Sequence, residues 1–316
     1  MRASAESRRL RVAVIGLGRW GSNYLATLSR LSECHLVAGV DPDQTKHAGR
    51  PFPVYEQLGD LLCHVDCDAV IVASPDHTHY TLTYQALQAN KHVLVEKPMA
   101  LNAEHAKELA RFAKTRNRVL AVGHTMVYHD GFRSLRKAVA GGSLGDPVRL
   151  TAVRTSRGSA SSAGVLGDLV SHDIAMTTAL FGLPLVARSR FRADGRALSY
   201  QLLYPKDMVV SGWAAWTSGP RVRRFRVCGT LGTMVFSDCF PADGQDWKSL
   251  PLTSQCADFI RACLSGTLPC AGADQGVLVA LCLAALARSG DGTWVSVEGK
   301  HWIADQSRQL PSGVLV

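Results

Sequence analysis

The sequence predicts an α/β protein with two domains, the first built on a doubly wound parallel sheet and the second on a mostly antiparallel open sheet. Three observations lead to this prediction. Short apolar strands alternate with helical patterns up to about residue 125, and a glycine-rich turn directly follows the first of these strands. Beyond residue 147 the apolar segments become longer and alternate with polar residues, as in strands with one solvated face.

The glycine-rich turn, Gly16-x-Gly18-x-x-Gly21, follows the unbroken apolar run from Val12 to Ile15. We expect Gly16 to permit a tight turn, Gly18 to let the backbone approach a pyrophosphate, and Gly21 to let a helix pack closely on the strand. A second apolar run ends at Asp41, about twenty residues later, where a ribose-binding carboxylate is expected. These residues alone leave one alternative open. The glycines could form a turn in another kind of α/β domain, and the aspartate could follow by chance.

The later strands of the first domain also end in polar residues. The run from Asp68 to Ser74 stops at Pro75, and the strand from His92 to Glu96 ends in Lys97. Because the carboxyl ends of parallel strands share one edge, we expect these groups to face one crevice. The final strand of this domain is 119–122, and the expected helices are 24–31, 58–62, 81–89 and 103–114, the last capped by Asn102.

The second domain is predicted from its alternating pattern and its turn residues. The expected strands are 148–154, 187–192, 198–204, 208–216, 221–227 and 234–237, and the expected helices are 166–180, 254–265 and 274–288. We therefore assign residues 9–125 to a dinucleotide-binding Rossmann domain and residues 126–316 to a second domain of α+β type.

Composition limits the function classes. Hydrophobic residues make up 47% of the chain and charged residues 19%, as in a globular protein, and the longest apolar stretch is too short to span a bilayer. Residues 1–11 are polar and basic, unlike a secretory signal. Nine cysteines without a C-x-x-C pair favour reduced thiols. We expect a cytoplasmic protein without a metal site or a nucleic-acid or membrane partner, whose charge of +9 attracts an anionic substrate or cofactor.

Four motifs occur in an order and spacing that resemble the Gfo/Idh/MocA family, the glucose-fructose oxidoreductase and inositol dehydrogenase type. They are Gly16-x-Gly18-x-x-Gly21, Ser74-Pro75-Asp76-x-x-His79, Glu96-Lys97-Pro98 and Asp168-x-x-x-His172-Asp173. With the segments 141–147 and 229–233, the resemblance spans nearly the whole chain. The chain departs from the family at Ser74 and Asp76, which replace the more usual threonine and asparagine.

The resemblance implies an NAD(H)-dependent oxidoreductase acting on a hydroxyl or ketone carbon of a sugar, nucleotide sugar or cyclitol. NADP is less expected, because the charge of Asp41 should repel a 2′-phosphate, although Arg19 in the glycine loop and Lys46 are cations that could meet one. A homodimer or homotetramer is implied, with the substrate bound between the domains. The resemblance thus makes residues 126–316 the substrate-binding and oligomerisation domain. The cofactor-binding residues implied are Gly16, Gly18, Arg19, Trp20, Gly21, Asp41, Ser74, Pro75, His79, Glu96 and Lys97.

The same resemblance places Lys97, Asp168 and His172 in the catalytic centre. Oxidation of an alcohol needs a base for the hydroxyl proton, and a histidine suits this near neutral pH. Asp168 stands four residues before His172, so it could orient the imidazole from the same helix face, while Lys97 would bind the substrate oxygen. Without the resemblance, a surface lysine, a core histidine and a helix N-terminal carboxylate explain these residues equally well.

Other residues and other functions stay open at this stage. His124 and Tyr128 either line the pocket or pack in the hinge, and Arg154 and Arg157 either meet an acidic substrate group or end a solvated strand. Reduction of an imine or of a conjugated C=C bond is the alternative chemistry. A regulator that binds NAD without turnover is the alternative of a different class.

Overall fold

The computed structural model describes residues 9–157, 163–237 and 249–299. The parts of the expected second domain at 158–162, 238–248 and 300–316 lie outside the described residues. Within the described part, two sheets of six and seven strands form the framework.

The first sheet is parallel in every recorded pairing and has the strand order β3-β2-β1-β4-β5-β6. Its inner strands are short and apolar because helices cover both faces. The strands are β1 (Leu10–Ile15), β2 (Cys34–Val40), β3 (Val54–Tyr55), β4 (Ala69–Val72), β5 (His92–Val95) and β6 (Leu120–Val122). The predicted doubly wound Rossmann arrangement is thereby confirmed.

The connecting helices follow the predicted positions within a few residues. They are α1 (Arg19–Leu28), α2 (Leu58–His64), α3 (His79–Gln88) and α4 (Ala103–Thr115). Asn102 caps α4 as expected, because its side-chain oxygen accepts a hydrogen bond from the N–H of His105 at 2.8 Å. No strand is predicted at β3, because its two residues are too few to show the alternation of apolar and polar residues.

The second sheet has the order β12-β11-β7-β10-β9-β8-β13, and only the β7 and β10 pair is parallel among its described pairings. The prediction of a mostly antiparallel sheet is therefore confirmed. Its strands are β7 (Pro147–Ser156), β8 (Val186–Phe191), β9 (Ala197–Leu203), β10 (Val209–Trp216), β11 (Arg223–Gly229), β12 (Thr233–Ser237) and β13 (Val295–Ser296).

Four further α-helices follow β6 in the described part of the chain. They are α5 (Asp130–Ala140), α6 (Ser171–Phe181), α7 (Ser249–Ser265) and α8 (Ala273–Arg288). The predicted helix 166–180 is divided, because Leu166–Val170 forms a π-helical turn before α6 begins. No described helix has the length and apolar character needed to cross a membrane.

Helix α7 packs on the first sheet although it comes late in the chain. Its buried residues Cys256 and Phe259 share one apolar cluster with Val12 of β1 and Tyr24 of α1. Helix α8 packs between the two halves, since it contacts α4 and β6 on one side and α6 and β8 on the other. The division at residues 125 and 126 stays a prediction from chain order, while the packing groups α7 with the first sheet.

Candidate active site

The glycine turn connects β1 to α1 at the carboxyl edge of the first sheet. Gly16 has φ of +85°, and a Cβ there would lie 2.7 Å from the N atom of Ser74. A Cβ on Gly21 would collide with the carbonyl group of Gly16. A Cβ on Gly18 would meet no atom within 4 Å. Protein packing therefore explains two of the three glycines, and the open space at Gly18 fits a ligand that approaches the backbone.

The start of α1 suits a pyrophosphate. Gly18 is the N-cap, and no side chain caps the helix. The first N–H groups of α1 are thus not held by a capping side chain and carry the positive end of the helix dipole. Arg19 and Trp20 begin the helix and are exposed beside the turn. These residues fit the diphosphate of a dinucleotide.

Asp41 lies directly after β2 and is buried. One carboxylate oxygen accepts the N–H of Leu17 at 2.7 Å, and the other accepts the N–H of Asp43 at 2.9 Å. Asp41 therefore holds the glycine loop as well as standing at the expected ribose position. Lys46 lies 3.7 Å from a carboxylate oxygen of Asp43 in an exposed ion pair, so its charge is partly compensated.

His79 has a structural environment. Its Nδ1 lies 2.7 Å from the carbonyl oxygen of Pro98, and its Nε2 lies 2.9 Å from that of Ser74. The buried ring thus joins the end of β4 to the cis Lys97-Pro98 segment. Pro75 is exposed, and the Ser74 hydroxyl lies 2.6 Å from that of Thr78. The geometry gives His79 no ring nitrogen that is free for a cofactor.

Glu96 is also enclosed by protein. Its Oε1 accepts the hydroxyl of Tyr24 at 2.7 Å, and its Oε2 accepts the N–H of Lys97 at 3.1 Å. Gln255 of α7 donates from Nε2 to the Tyr24 oxygen at 2.9 Å and accepts the hydroxyl of Thr125 at 2.9 Å. Burial raises the pKa of Glu96. Glu96 supports the strand end that carries Lys97 and does not face the open crevice.

Lys97 is held by Asp168 of the π-helical turn. Its Nζ donates to the Asp168 backbone carbonyl at 3.0 Å and to Asp168 Oδ1 at 3.1 Å. The Lys97 side chain is 12% exposed. The second carboxylate oxygen of Asp168 accepts the indole N–H of Trp216, at the end of β10, at 3.0 Å. Nζ has these two hydrogen-bond partners among the described residues, and an ammonium group has three donors, so a third N–H is available.

The expected pairing of Asp168 with His172 is wrong. The carboxylate contacts Lys97 and Trp216, whereas His172 Nδ1 has no hydrogen-bond partner among the described residues. The π-helical turn explains the difference, because its wider spiral removes the expected i to i+4 alignment across residues 168 to 172. Enclosure of the ring lowers the pKa of His172 well below its ordinary value, and the charges of Lys97 and Arg154 lower it further.

His124 lies beside Lys97. Val95 and Val122 are paired residues of β5 and β6, and Lys97 and His124 each lie two residues further along. Neighbouring strands run about 4.8 Å apart, so the two side chains start close together. The His124 ring is 1% exposed, and neither nitrogen has a partner among the described residues. Burial lowers the pKa of His124 from 6.5 to about 3, with a further contribution from Lys97.

Three further residues have roles that the sequence leaves undecided, namely Tyr128, Arg154 and Arg157. Tyr128 packs in the hinge, because its buried hydroxyl donates to Asp258 Oδ2 at 2.8 Å and accepts the N–H of Ala271 at 3.1 Å. Arg154 forms a buried ion pair with Asp173, whose Oδ1 lies 2.8 Å from Arg154 Nε. Arg157 is exposed after β7. Because Arg154 is buried, the interpretation of this residue as a solvated strand end is wrong.

Sequence comparison identifies the family. Residues 10–124 match the profile described as the oxidoreductase family with an NAD-binding Rossmann fold, named GFO_IDH_MocA. Residues 132–235 match the GFO/IDH/MocA C-terminal domain. The chain belongs to the Gfo/Idh/MocA family. The resemblance that four short motifs indicate is thereby confirmed over most of the chain.

Two characterised relatives from this family illustrate its range. The chain is 30% identical over 200 residues to scyllo-inositol 2-dehydrogenase (NADP(+)) IolW of Bacillus subtilis, covering 58% of this chain and 55% of that protein. It is 30% identical over 220 residues to UDP-N-acetylglucosamine 3-dehydrogenase of Acidithiobacillus ferrooxidans, covering 66% of this chain and 64% of that protein. The match spans less than two thirds of the length of either relative.

Solved structures of Gfo/Idh/MocA type share the fold. The apo scyllo-inositol dehydrogenase from Lactobacillus casei superposes with a TM-score of 0.84 at 18% identity, covering 93% of this chain and 99% of that chain. GenD2 from gentamicin A biosynthesis, solved in complex with NAD, superposes with a TM-score of 0.84 at 24% identity, covering 95% and 99%. At these identities the likeness concerns the fold alone.

Proposed function

We propose that the protein is an NAD(H)-dependent oxidoreductase that interconverts a secondary alcohol and a ketone on a polyhydroxylated small molecule. A cyclitol, a sugar or a nucleotide sugar is the substrate class. The observation that carries the proposal is the cluster at the carboxyl edge of the first sheet, where Lys97 binds Asp168 and lies beside neutral His124 and the turn that leads to His172. Relatives named as inositol and UDP-N-acetylglucosamine dehydrogenases support the substrate class.

The roles of the three catalytic residues follow from their surroundings. Burial lowers the pKa of His172 below its ordinary value, so the ring is neutral near pH 7 and has an unprotonated nitrogen that can accept the hydroxyl proton of the substrate. The remaining N–H of Lys97 binds the substrate oxygen, and Asp168 holds the Lys97 ammonium in place. Nicotinamide, when bound, supplies the hydride acceptor or donor. In the direction of ketone reduction, the same groups return the proton to the oxygen.

NAD(H) is the cofactor that this chain's residues favour. Gly16, Gly18 and Gly21 shape the turn, and Asp41 offers a carboxylate at the ribose end. Asp43 adds a second carboxylate there and binds Lys46, which reduces the attraction for a 2′-phosphate. Arg19 is the exposed cation that could offset this preference. We assign Ser74, Pro75 and Trp20 to the rim of the cofactor site, and His79 and Glu96 to its support.

We further propose a cytoplasmic homo-oligomer. Every cysteine in the described part of the chain is a free thiol, which suits a reducing compartment. The second sheet leaves apolar side chains such as Val235 on its open face, 50% exposed, where a second copy would cover them. Sedimentation velocity on the full chain tests the assembly, and a monomer at micromolar concentration would contradict it.

The decisive experiment is a substrate screen followed at the nicotinamide absorbance. Purified full-length protein is tested with NAD⁺ and NADP⁺ against inositols, sugars and nucleotide sugars, and with the reduced cofactors against ketones and imines. Turnover of a polyol by the protein, but not by its Lys97→Met variant, is the expected result. Turnover of imines alone would favour the alternative chemistry. Cofactor binding without turnover of any compound would favour a regulator.

A further inference from the structure

We propose that Trp216 is a positioning residue of the reaction site, an inference that rests on the proposed function. Its indole N–H donates to Asp168 Oδ2 at 3.0 Å, while the other carboxylate oxygen accepts Lys97 Nζ at 3.1 Å. The two oxygens of Asp168 therefore have separate partners on opposite sides. In this arrangement Trp216 fixes the carboxylate plane, and the carboxylate plane fixes the ammonium of Lys97.

The position of Trp216 is set by the second sheet. It is the last residue of β10 and stands opposite Ser156 of β7 in a parallel pair. Its backbone N–H also donates to the carbonyl oxygen of Arg196 at 2.9 Å. The indole is half-buried, so its backbone and its ring are both constrained. A strand end is a rigid place from which to direct a donor at a catalytic carboxylate.

Asp168 needs such a partner because it lies in the π-helical turn Leu166–Val170. The turn directs its backbone carbonyl, as well as Oδ1, at Lys97. Its side chain is 21% exposed, so water can reach the carboxylate if the indole is lost. Water would solvate Oδ2 and preserve its charge, but water would not fix the rotation of the carboxylate. The contribution of Trp216 is therefore orientation rather than charge.

His172, the residue that the sequence suggested as the partner of Asp168, does not bind its carboxylate. Within residues 9–157, 163–237 and 249–299, the Asp168 carboxylate has hydrogen bonds to Lys97 and Trp216 and none to His172. Lys97 lies two residues after β5, Asp168 is in the π-helical turn, and Trp216 ends β10. They form one chain of hydrogen bonds that crosses from the first sheet to the second.

The test compares Trp216→Phe with Trp213→Phe on the same strand. Trp213 is 43% exposed and pairs with Val153, so it points to the opposite face from Trp216 and serves as the matched control. Loss of a hydrogen bond to a charged group leads us to expect a fall in kcat of about tenfold to a hundredfold for Trp216→Phe. The KM for the cofactor should stay unchanged. Trp213→Phe should retain the wild-type kcat.

A double-mutant cycle separates positioning from general damage. If Trp216 acts through Asp168, then Trp216→Phe should have no further effect on kcat in an Asp168→Asn background. Trp216→Tyr restores a donor on the ring and should recover part of the rate that Trp216→Phe loses. Equal losses in both backgrounds, or equal rates for the Phe and Tyr variants, would overturn the proposal.

A measurement that needs no turnover keeps this inference separate from the proposed function. Lys97 is labelled with trinitrobenzenesulfonate and quantified by mass spectrometry, with exposed Lys206 as the internal standard. A less firmly held Lys97 should react several-fold faster in Trp216→Phe and at the wild-type rate in Trp213→Phe. Should the wild type prove inactive on all substrates, the proposed function fails, yet the labelling still decides. Identical Lys97 labelling in all three proteins would overturn the role of Trp216.

Discussion

The two sides of the crevice are built in different ways. On the cofactor side, Gly16, Gly21 and Asp41 act through backbone conformation, close packing and bonds to nearby N–H groups. On the catalytic side, Lys97 and Trp216 meet at Asp168, and the three residues lie far apart in the sequence. The first side is built around the single turn that follows β1, within one sheet. The second exists only once both sheets are in place.

Because of this difference, we expect substitutions on the two sides of the crevice to affect different properties of the protein. Changes in the glycine turn should alter either the fold or the cofactor affinity, because each glycine has one spatial function. Changes in the catalytic cluster should alter the rate while leaving cofactor affinity nearly intact, since the hydrogen bonds that join Lys97, Asp168 and Trp216 do not involve the glycine turn. The predictions below test this separation.

The largest effect is expected from the catalytic side. Lys97→Met and His172→Gln should each lower kcat by roughly a hundredfold to ten-thousandfold, as is typical for groups that move or bind the transferring proton. Because the two residues act as a unit, the double variant should be little worse than either single one. Single-turnover nicotinamide absorbance at saturating cofactor and substrate measures the effect.

The control for this pair is cofactor affinity measured by calorimetry, which should change far less than the rate. Asp168→Asn should lower kcat less than Lys97→Met does. It removes the carboxylate that holds Lys97 but keeps the ammonium group that binds the substrate oxygen. Near wild-type hydride transfer in the single variants would remove these residues from the chemistry and leave only the fold and cofactor site.

Substitution of two glycines on the cofactor side should affect different quantities, the stability of the fold for Gly21 and the affinity for NAD for Gly18. Gly21→Ala places a methyl group against the Gly16 carbonyl, so we expect a loss of about 1–3 kcal/mol in the free energy of unfolding. Gly18→Val meets open space and should cost about 1 kcal/mol or less through the weaker N-cap. Gly18→Val should instead raise the Kd for NAD. Urea denaturation and calorimetry measure the two quantities.

If Gly18→Val left the Kd unchanged, the glycine turn would be structural only. If Gly21→Ala were as stable as the wild type, the close approach of α1 to β1 would not constrain this position.

The third prediction concerns the enclosed histidine on the catalytic side. The pKa of His124 is about 3 in the folded protein, against 6.5 ordinarily. As the pH is lowered below 6.5, His124 becomes protonated in the unfolded chain but not in the folded protein. The free energy of unfolding therefore decreases as the pH is lowered from 6.5 to about 3. Between pH 7.5 and pH 5 this costs about 2 kcal/mol. Urea denaturation at both pH values measures the loss.

His124→Gln should reduce that acid-dependent loss by about the same 2 kcal/mol, since glutamine does not titrate. The exposed His77→Gln variant is the matched control and should lose stability with acid as the wild type does. An identical acid-dependent loss in His124→Gln and the wild type would show that the ring is solvated.

The smallest effect is expected for cofactor choice. Asp41→Ser removes the charge that repels a 2′-phosphate, so the ratio of kcat/KM for NAD over NADP should fall by about tenfold. Some stability should also be lost, because Asp41 accepts two backbone N–H groups of the loop. Asp43→Ser removes the neighbouring carboxylate but keeps both of those bonds to Asp41, so it should lower the ratio without the same loss of stability. A wild-type preference for NADP would contradict the assignment.

Most of the fold was predictable because its signals are local. Apolar runs gave the long strands of both sheets, and Asn102 marked the start of α4. The exceptions have different causes. Strand β3 has two residues, too few to show an alternating period. Helix α5 carries Phe132, Leu135 and Val139 at helical spacing, so its pattern is present in the sequence although no helix is predicted there. The packing of α7 on the first sheet depends on residues far apart in the chain.

The candidate site was predictable in its residues but not in its contacts. The motifs gave Lys97, Asp168 and His172, yet helical spacing suggested the wrong partner for Asp168, because the π-helical turn has no sequence signature. Trp216 was missed because a tryptophan at a strand end resembles any core residue until the second sheet places it. His79 and Glu96 belong to the motifs as supports, which only their hydrogen bonds reveal.

Helix α7 also bears on the order in which the chain folds during synthesis. Gln255 of α7 completes the hydrogen bonds of Tyr24 and Thr125, and its apolar neighbours close one face of the first sheet. A nascent chain that ends at residue 125 therefore exposes that face to the ribosome surface and to chaperones. The N-terminal domain is thus completed only after residue 265 has left the exit tunnel, although its sheet is the first part to be translated.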